Sequence, residues 1–98
     1  MAFDMVKYER GQIWKIYFKN QEAVGHEQKK DRPWIILSIG RFNKSSGMFT
    51  AAPISTGNSI RTPSQVLFEN DLGHSNIILC EQIRSFDHTS GWYKLEYL

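Results

Sequence analysis

Apolar and polar residues alternate from the first legible segment onward. "QIWKIYF" (12–18) sets Trp14, Ile16 and Phe18 on one face and Ile13, Lys15 and Tyr17 on the other, the period-2 signature of a half-buried strand. "WIILSI" (34–39) is apolar on both faces, which predicts a central strand covered on two sides. "MFTAAPI" (48–54) and "SQVLF" (64–68) predict two further strands, separated by the turn-rich "STGNSIRTP". "SNIILC" (75–80) is a second two-sided apolar strand, and "IRSF" (83–86) a short last one. Between the second and third strands, "GRFNKSSGM" reads as a hairpin with Gly and Asn turn chemistry. "ENDLGHS" (69–75) starts on Asn-Asp and stops on Gly, which predicts one helical turn. Residues 2–9 are too short and mixed to assign.

Strands recurring every ~8–15 residues with Pro and Gly between them predict a mainly β chain, either a small barrel or a strongly coiled sheet. No internal repeat, low-complexity stretch or linker divides it, so residues 1–98 are expected to form a single domain. Ninety-eight residues offer little with which to cover a second sheet face. Two strands that are apolar on both faces therefore predict self-association, most simply as a two-fold homodimer.

Composition narrows the picture. An apolar fraction of 41%, with three Trp, four Tyr and six Phe, is that of a folded chain. A net charge of +2 and a pI near 8.8 are compatible with a nucleic-acid partner without demanding one. The single cysteine, Cys80, has no internal disulfide partner, which fits a reducing, cytoplasmic setting, and its mid-strand place reads as packing rather than as a nucleophile. No leader pattern opens the chain and no apolar run approaches the ~18 residues of a membrane span, so a soluble protein without membrane contact is expected.

The three histidines, His26, His74 and His88, lie far apart and outside any metal-ligand spacing, and no phosphate-cradling glycine motif occurs. Neither a metal nor a cofactor is expected. What remains is a set of polar groups at strand ends. Arg32 opens the second strand behind a charged loop, Ser55 and Thr56 close the third, and Glu81, Gln82 and Arg84 follow the fifth. Strand ends position side chains better than loop tips do. Taken singly, Arg32 reads equally as a surface ion pair, Ser55 and Thr56 as turn formers, and "EQIR" as a polar edge.

The blocks "RGQIWKIYF", "G-x-E-Q" followed by "RPWIILS", "AAPISTG" and "NIILCEQIRSFD" resemble, in order and spacing, those of the MazF/PemK (Kid) family of toxin endoribonucleases, over residues 10 to about 87. The resemblance implies an SH3-like β-barrel with short helices, a homodimer, and metal-independent cleavage of single-stranded RNA at short motifs. It also implies a cognate MazE/PemI-like antitoxin whose disordered tail folds over the RNA groove, the complex of the two binding DNA. The family's catalytic arginine falls on Arg32 and its catalytic threonine on Ser55, with Thr56 adjacent. The glycine loop matches at Gly25, Glu27 and Gln28, and the last block at Glu81, Gln82, Ile83 and Arg84.

For such cleavage the 2′-OH attacks the adjacent phosphorus, which requires a proton acceptor, positive charge at the phosphorane and a donor for the departing 5′ oxygen. Arg32 supplies bidentate charge to phosphate oxygens, and a guanidinium is a poor proton acceptor. Glu27 or His26 in the same loop is the candidate base. Phe18, Lys19, Asn58, Arg61 and Gln82 are expected near the RNA, with Lys29 and Lys30 steering phosphate by charge. Two departures from the family pattern stand out. Serine replaces threonine at position 55, keeping the hydroxyl and losing the methyl that restricts its rotamer. Residues 88–98, "HTSGWYKLEYL", stand where the family continues into a C-terminal helix, so that helix is expected to be truncated, with Trp92, Tyr93 and Tyr97 over the same apolar surface. Two other readings compete. One is a CcdB-like gyrase-inhibiting toxin, which shares the barrel and dimer and lacks the Arg and Ser/Thr set. The other is an inactive SH3-like binding module.

Overall fold

A computed structural model describes residues 7–18 and 32–98. Seven antiparallel strands and one short helix follow in the order β1 (Ile13–Phe18), β2 (Arg32–Ile36), α1 (Gly40–Ser46), β3 (Met48–Thr56), β4 (Gln65–Glu69), β5 (Ser75–Leu79), a 3-10 turn (Cys80–Gln82), β6 (Arg84–Asp87) and β7 (Tyr93–Tyr97). The sheet runs β4-β5-β3-β2-β1-β7, with β6 added to β3. It is mainly β and barrel-like, and among the described residues its end strands β4 and β7 do not pair to close it.

β3 organises the sheet because its nine residues serve three partners. Its start pairs with β6 (Phe49 opposite Phe86), its middle with β2 (Trp34 opposite Pro53) and its end with β5 (Ser55 opposite Ile77). β5 and β6 are nearly consecutive in sequence, and the 3-10 turn between them carries the chain from the end of β3 to its start.

The alternation of β1 holds as read. Trp14 and Ile16 are buried and Phe18 packs on the same cluster, together with Tyr8, Trp34, Ile36, Phe49, Ala51 and Phe86. Opposed strand residues share a face, so Trp14 meets Trp34 across β1 and β2, and Phe49 meets Phe86 across β3 and β6. The rings around Phe18, Trp34, Phe86 and Tyr93 include edge-on pairs that their quadrupoles favour. Trp34 and Phe86 lie 4.9 Å apart at 80°, and Phe18 and Tyr93 5.4 Å apart at 84°.

Three expectations need correction. The segment read as a hairpin between β2 and β3 is helix α1. Its Asn43 is no turn former but a buried hydrogen-bonding hub, and Gly47 is the helix stop, in the left-handed region at φ 75° with its N–H on the Asn43 carbonyl. The helical turn expected at 69–75 is instead the hairpin turn joining β4 to β5. There the Asn70 side-chain oxygen accepts from the Leu72 and His74 N–H groups at 2.9 Å each, a local alternative to helix that Asn offers readily. The strand read as last, 83–86, is followed by another, since residues 93–97 form strand β7 along β1, with Leu95 opposite Ile16.

Asn43, only 1% exposed, links four pieces of chain. Its amide nitrogen donates to the Tyr8 carbonyl at 2.8 Å and the Ser38 carbonyl at 3.1 Å, while its side-chain oxygen accepts from the Ser38 hydroxyl. That hydroxyl in turn accepts from the Thr50 N–H of β3. The Asn43 carbonyl lies 2.9 Å from His88 Nε2 in the β6–β7 connection. Replacing Asn43 by Ala strands buried acceptors, so Asn43→Ala is expected to lower unfolding free energy by about 2–4 kcal/mol. Urea titration checks this, and a loss below about 1 kcal/mol would contradict the linking role.

Candidate active site

A cavity of about 400 Å³ opens where β3 ends, between the 57–64 loop, the start of β4 and the 3-10 turn. Six residues singled out from the sequence line it together: Ser55, Thr56, Asn58, Arg61, Glu81 and Gln82. They come from two stretches of chain, 55–61 and 81–82, and the β3–β5 and β4–β5 registers bring them together. Ile77 and Leu79 of β5 add an apolar lining, and Gln65 opens β4 beside them. These three went unmarked in the sequence, the first two because they read as core. Gly57 lets the chain leave β3 close over this lining, since a Cβ there would sit 3.1 Å from Ile77 Cδ1.

Arg32 stands at the first position of β2, opposite Ile16 of β1. It continues the row of Trp34 and Ile36, both buried in the core. Extending the Trp34–Pro53 register by two residues puts Arg32 opposite Ser55. The side-chain geometry agrees, because Arg32 Nη1 donates to the carbonyl of Ile54, the residue before Ser55, at 3.3 Å. Arg32 Nε is buried and has no hydrogen-bond partner among the described residues. A desolvated guanidinium N–H without a partner is costly, and an anion placed against it would relieve that cost. Arg32 is not itself part of the cavity lining.

Ser55 and Thr56 point to opposite faces of β3. Ser55 is half-buried, on the face of Arg32 and Ile77, and its hydroxyl makes one long bond of 3.4 Å to the Thr56 carbonyl. Thr56 is exposed and pairs with Asn76.

Glu81 forms the best-tied part of the rim. Ser64 Oγ donates to its Oε1 at 3.0 Å and Gln65 Nε2 to its Oε2 at 2.9 Å. The bond from Gln65, then that from its own backbone N–H and that from Ser64, hold the Glu81 carboxyl below the ordinary glutamate range.

Phe18 and Arg84 meet each other outside the cavity lining. The Arg84 guanidinium lies 5.1 Å from the Phe18 ring and 4.8 Å from the Phe86 ring, and its Nη2 donates to the Tyr93 hydroxyl at 3.3 Å. Lys19, Glu27 and Gln28, with His26, Lys29 and Lys30, lie outside the described residues. No group of three or more His, Cys, Asp or Glu side chains able to hold a metal occurs among the described residues. Likewise, among them no helix is long and apolar enough to cross a membrane.

A small antiparallel β fold with a strand-end arginine and serine beside a polar cavity defines a recognisable class. Residues 9–95 match the family model described as PemK-like, MazF-like toxin of type II toxin-antitoxin system, and the chain belongs to that family. It is 29% identical over 82 residues to Endoribonuclease PemK of Escherichia coli, an alignment covering 81% of this chain and 60% of that relative's length. Its fold matches MazF of Deinococcus radiodurans (form I) with TM-score 0.70 and 29% identity, covering 92% of this chain and 77% of that one. A MazE–MazF complex of Deinococcus radiodurans (form II) matches with TM-score 0.62 at 22% identity, covering 91% of this chain and 76% of that one, a likeness of fold alone.

The hydrogen bonds to Glu81 give a pH signature. A carboxyl whose pKa is lower folded than unfolded contributes stability that is full above the unfolded value, near 4.5, and is lost as pH falls through the depressed folded value. Wild-type thermal midpoints are therefore expected to fall more steeply below that pH than those of Glu81→Gln. Parallel curves would contradict the ties to Ser64 and Gln65. Asp87, also held below its ordinary range by Thr89, contributes equally to both curves.

Proposed function

We propose that this protein is the toxin of a type II toxin–antitoxin pair and acts as an endoribonuclease on single-stranded RNA without a metal or cofactor. The observation that carries the reading is the buried Nε of Arg32, without a hydrogen-bond partner among the described residues, on the same face as, and in register with, the Ser55 hydroxyl. Family membership supports it, as does the endoribonuclease activity for which the Escherichia coli relative is named.

In this reading the substrate's 2′-OH attacks the neighbouring phosphorus as its proton leaves. The P–O5′ bond breaks, the departing oxygen takes up a proton, and the products carry a 2′,3′-cyclic phosphate and a 5′-OH. Arg32 places fixed positive charge and guanidinium N–H donors at the non-bridging oxygens, where negative charge grows in the phosphorane. Ser55 donates its hydroxyl to one of these oxygens, and its face favours it over Thr56 for this role. Glu27 or His26 takes the 2′-OH proton. Asn58, Arg61, Glu81 and Gln82 read unpaired base edges along the cavity, with Gln28, Lys19, Phe18 and Arg84 along the path of the strand.

Residues 1–98 act as a single domain, paired in a homodimer that covers the second apolar sheet face. The protein works in the cytoplasm and is held inactive by an antitoxin whose tail occupies the RNA groove. The MazE–MazF complexes among its structural neighbours are consistent with that partner.

Incubation with long single-stranded RNA in EDTA, with mapping of fragment ends, tests the reading. Discrete cuts bearing 5′-OH ends are expected. Arg32→Ala should lower the rate by about 10²–10³-fold or more and Ser55→Ala by about 10-fold or more, with Thr56→Ala losing less. Intact RNA, or equal cleavage by Arg32→Ala, would sink it.

A further inference from the structure

Gln65 carries no charge and no nucleophile, yet it links the two walls of the cavity. It forms the last pair of the β4–β5 ladder, opposite Leu79. Beyond that pair the chain diverges into the 57–64 loop on one side and the 3-10 turn on the other, which no ladder hydrogen bond joins. Both ends of its side-chain amide are engaged. Oε1 accepts the Arg61 N–H at 2.9 Å and Nε2 donates to Glu81 Oε2 at 2.9 Å. A planar amide thus holds the backbone of one wall and the carboxylate of the other in a single geometry. Ser64 adds a second bond to Glu81 and is itself tied to Thr62 at 2.9 Å.

We propose that Gln65 is a positioning residue for substrate selection, holding the Glu81 carboxylate and the Arg61 backbone in the relation that decides which bases the cavity accepts. This rests on the ribonuclease reading above. Each carboxylate oxygen of Glu81 has further acceptor capacity after its bond to Ser64 or Gln65. A carboxylate accepts from N–H donors and repels carbonyl oxygens, so its orientation separates bases that present amino or imino groups from bases that do not. Freed from Gln65, the carboxylate rotates and the discrimination is lost, while the phosphate chemistry at Arg32 continues. The depressed pKa of Glu81, owed first to Gln65, agrees with this dependence.

Two variants test it. Gln65→Leu keeps the approximate volume and removes both bonds. Gln65→Glu keeps an acceptor for Arg61 but sets a second carboxylate against Glu81, an arrangement that a single shared proton repairs. Cleavage is mapped on a pool of randomised single-stranded RNA, and the Glu81 carboxyl is titrated by carbon NMR in all three proteins. For Gln65→Leu we expect cleavage spread over more motifs, discrimination at one or more positions reduced about tenfold or more, and a Glu81 pKa moved up toward the ordinary value. For Gln65→Glu we expect relaxed selection at pH 7.5 that sharpens again as pH falls toward 5.5, a recovery that a merely structural role would not produce. An unchanged motif in Gln65→Leu, or a Glu81 titration that does not move, overturns the proposal. Should the wild type leave RNA intact, the ribonuclease reading fails and takes selection with it, and the titration alone still decides whether Gln65 holds the carboxylate.

Discussion

The register of β3 against its three partner strands is the constraint on which the rest of this molecule depends. A strand of nine residues that pairs with β6 at its start, β2 in its middle and β5 at its end admits no slip. Moving it by one residue would turn Phe49 and Ala51 away from the aromatic cluster and face Thr50 and Ala52 toward it. That same register puts Ser55 on the face of the core aromatics, beyond its last apolar layer, with Ile77 on one side and Arg32 on the other. The core and the polar end of the sheet are therefore one continuous row structure. The side chains that pack at one end define where the reactive groups stand at the other.

This arrangement explains why a half-buried arginine is tolerated. Arg32 gives one N–H to the Ile54 carbonyl and keeps another buried and unspent. A fold selected for stability alone would place an apolar residue at the end of the Trp34–Ile36 row. In the proposed chemistry the unspent donor is the working part, already desolvated before the phosphate arrives. The Ser64–Gln65–Glu81 ties do the corresponding job on the far rim, by fixing an acceptor without placing it deep in the core.

Much of the strand pattern was legible because one-face burial writes itself as alternation, and Trp14, Ile16 and Phe18 follow that rule in the structure. The same parity sets Phe18 beside Phe86 and Tyr93. Helix α1 was misread because Gly, Asn and Ser mark turns by local preference, whereas Asn43 takes its role from Tyr8, Ser38 and His88, which are distant in sequence or in another element. "YKLEY" carried a strand's alternation that went unread once a truncated helix was expected there. Gln65 was invisible for a different reason. Nothing in its chemistry marks it, and although Arg61 lies four residues before it, Glu81 is brought to it only by the β4–β5 hairpin.

The central claim is that Arg32 and Ser55, joined by the register of β3, act as a unit on one phosphate. A double-mutant cycle on the cleavage rate tests it most directly, using Arg32→Lys, Ser55→Ala and the pair in EDTA. If both groups stabilise the same phosphorane, the double variant will be little slower than the slower single variant, because each loss already spoils the shared geometry. If the two losses multiply in full, Arg32 and Ser55 act independently, and the account of β3 as the element that couples them is wrong.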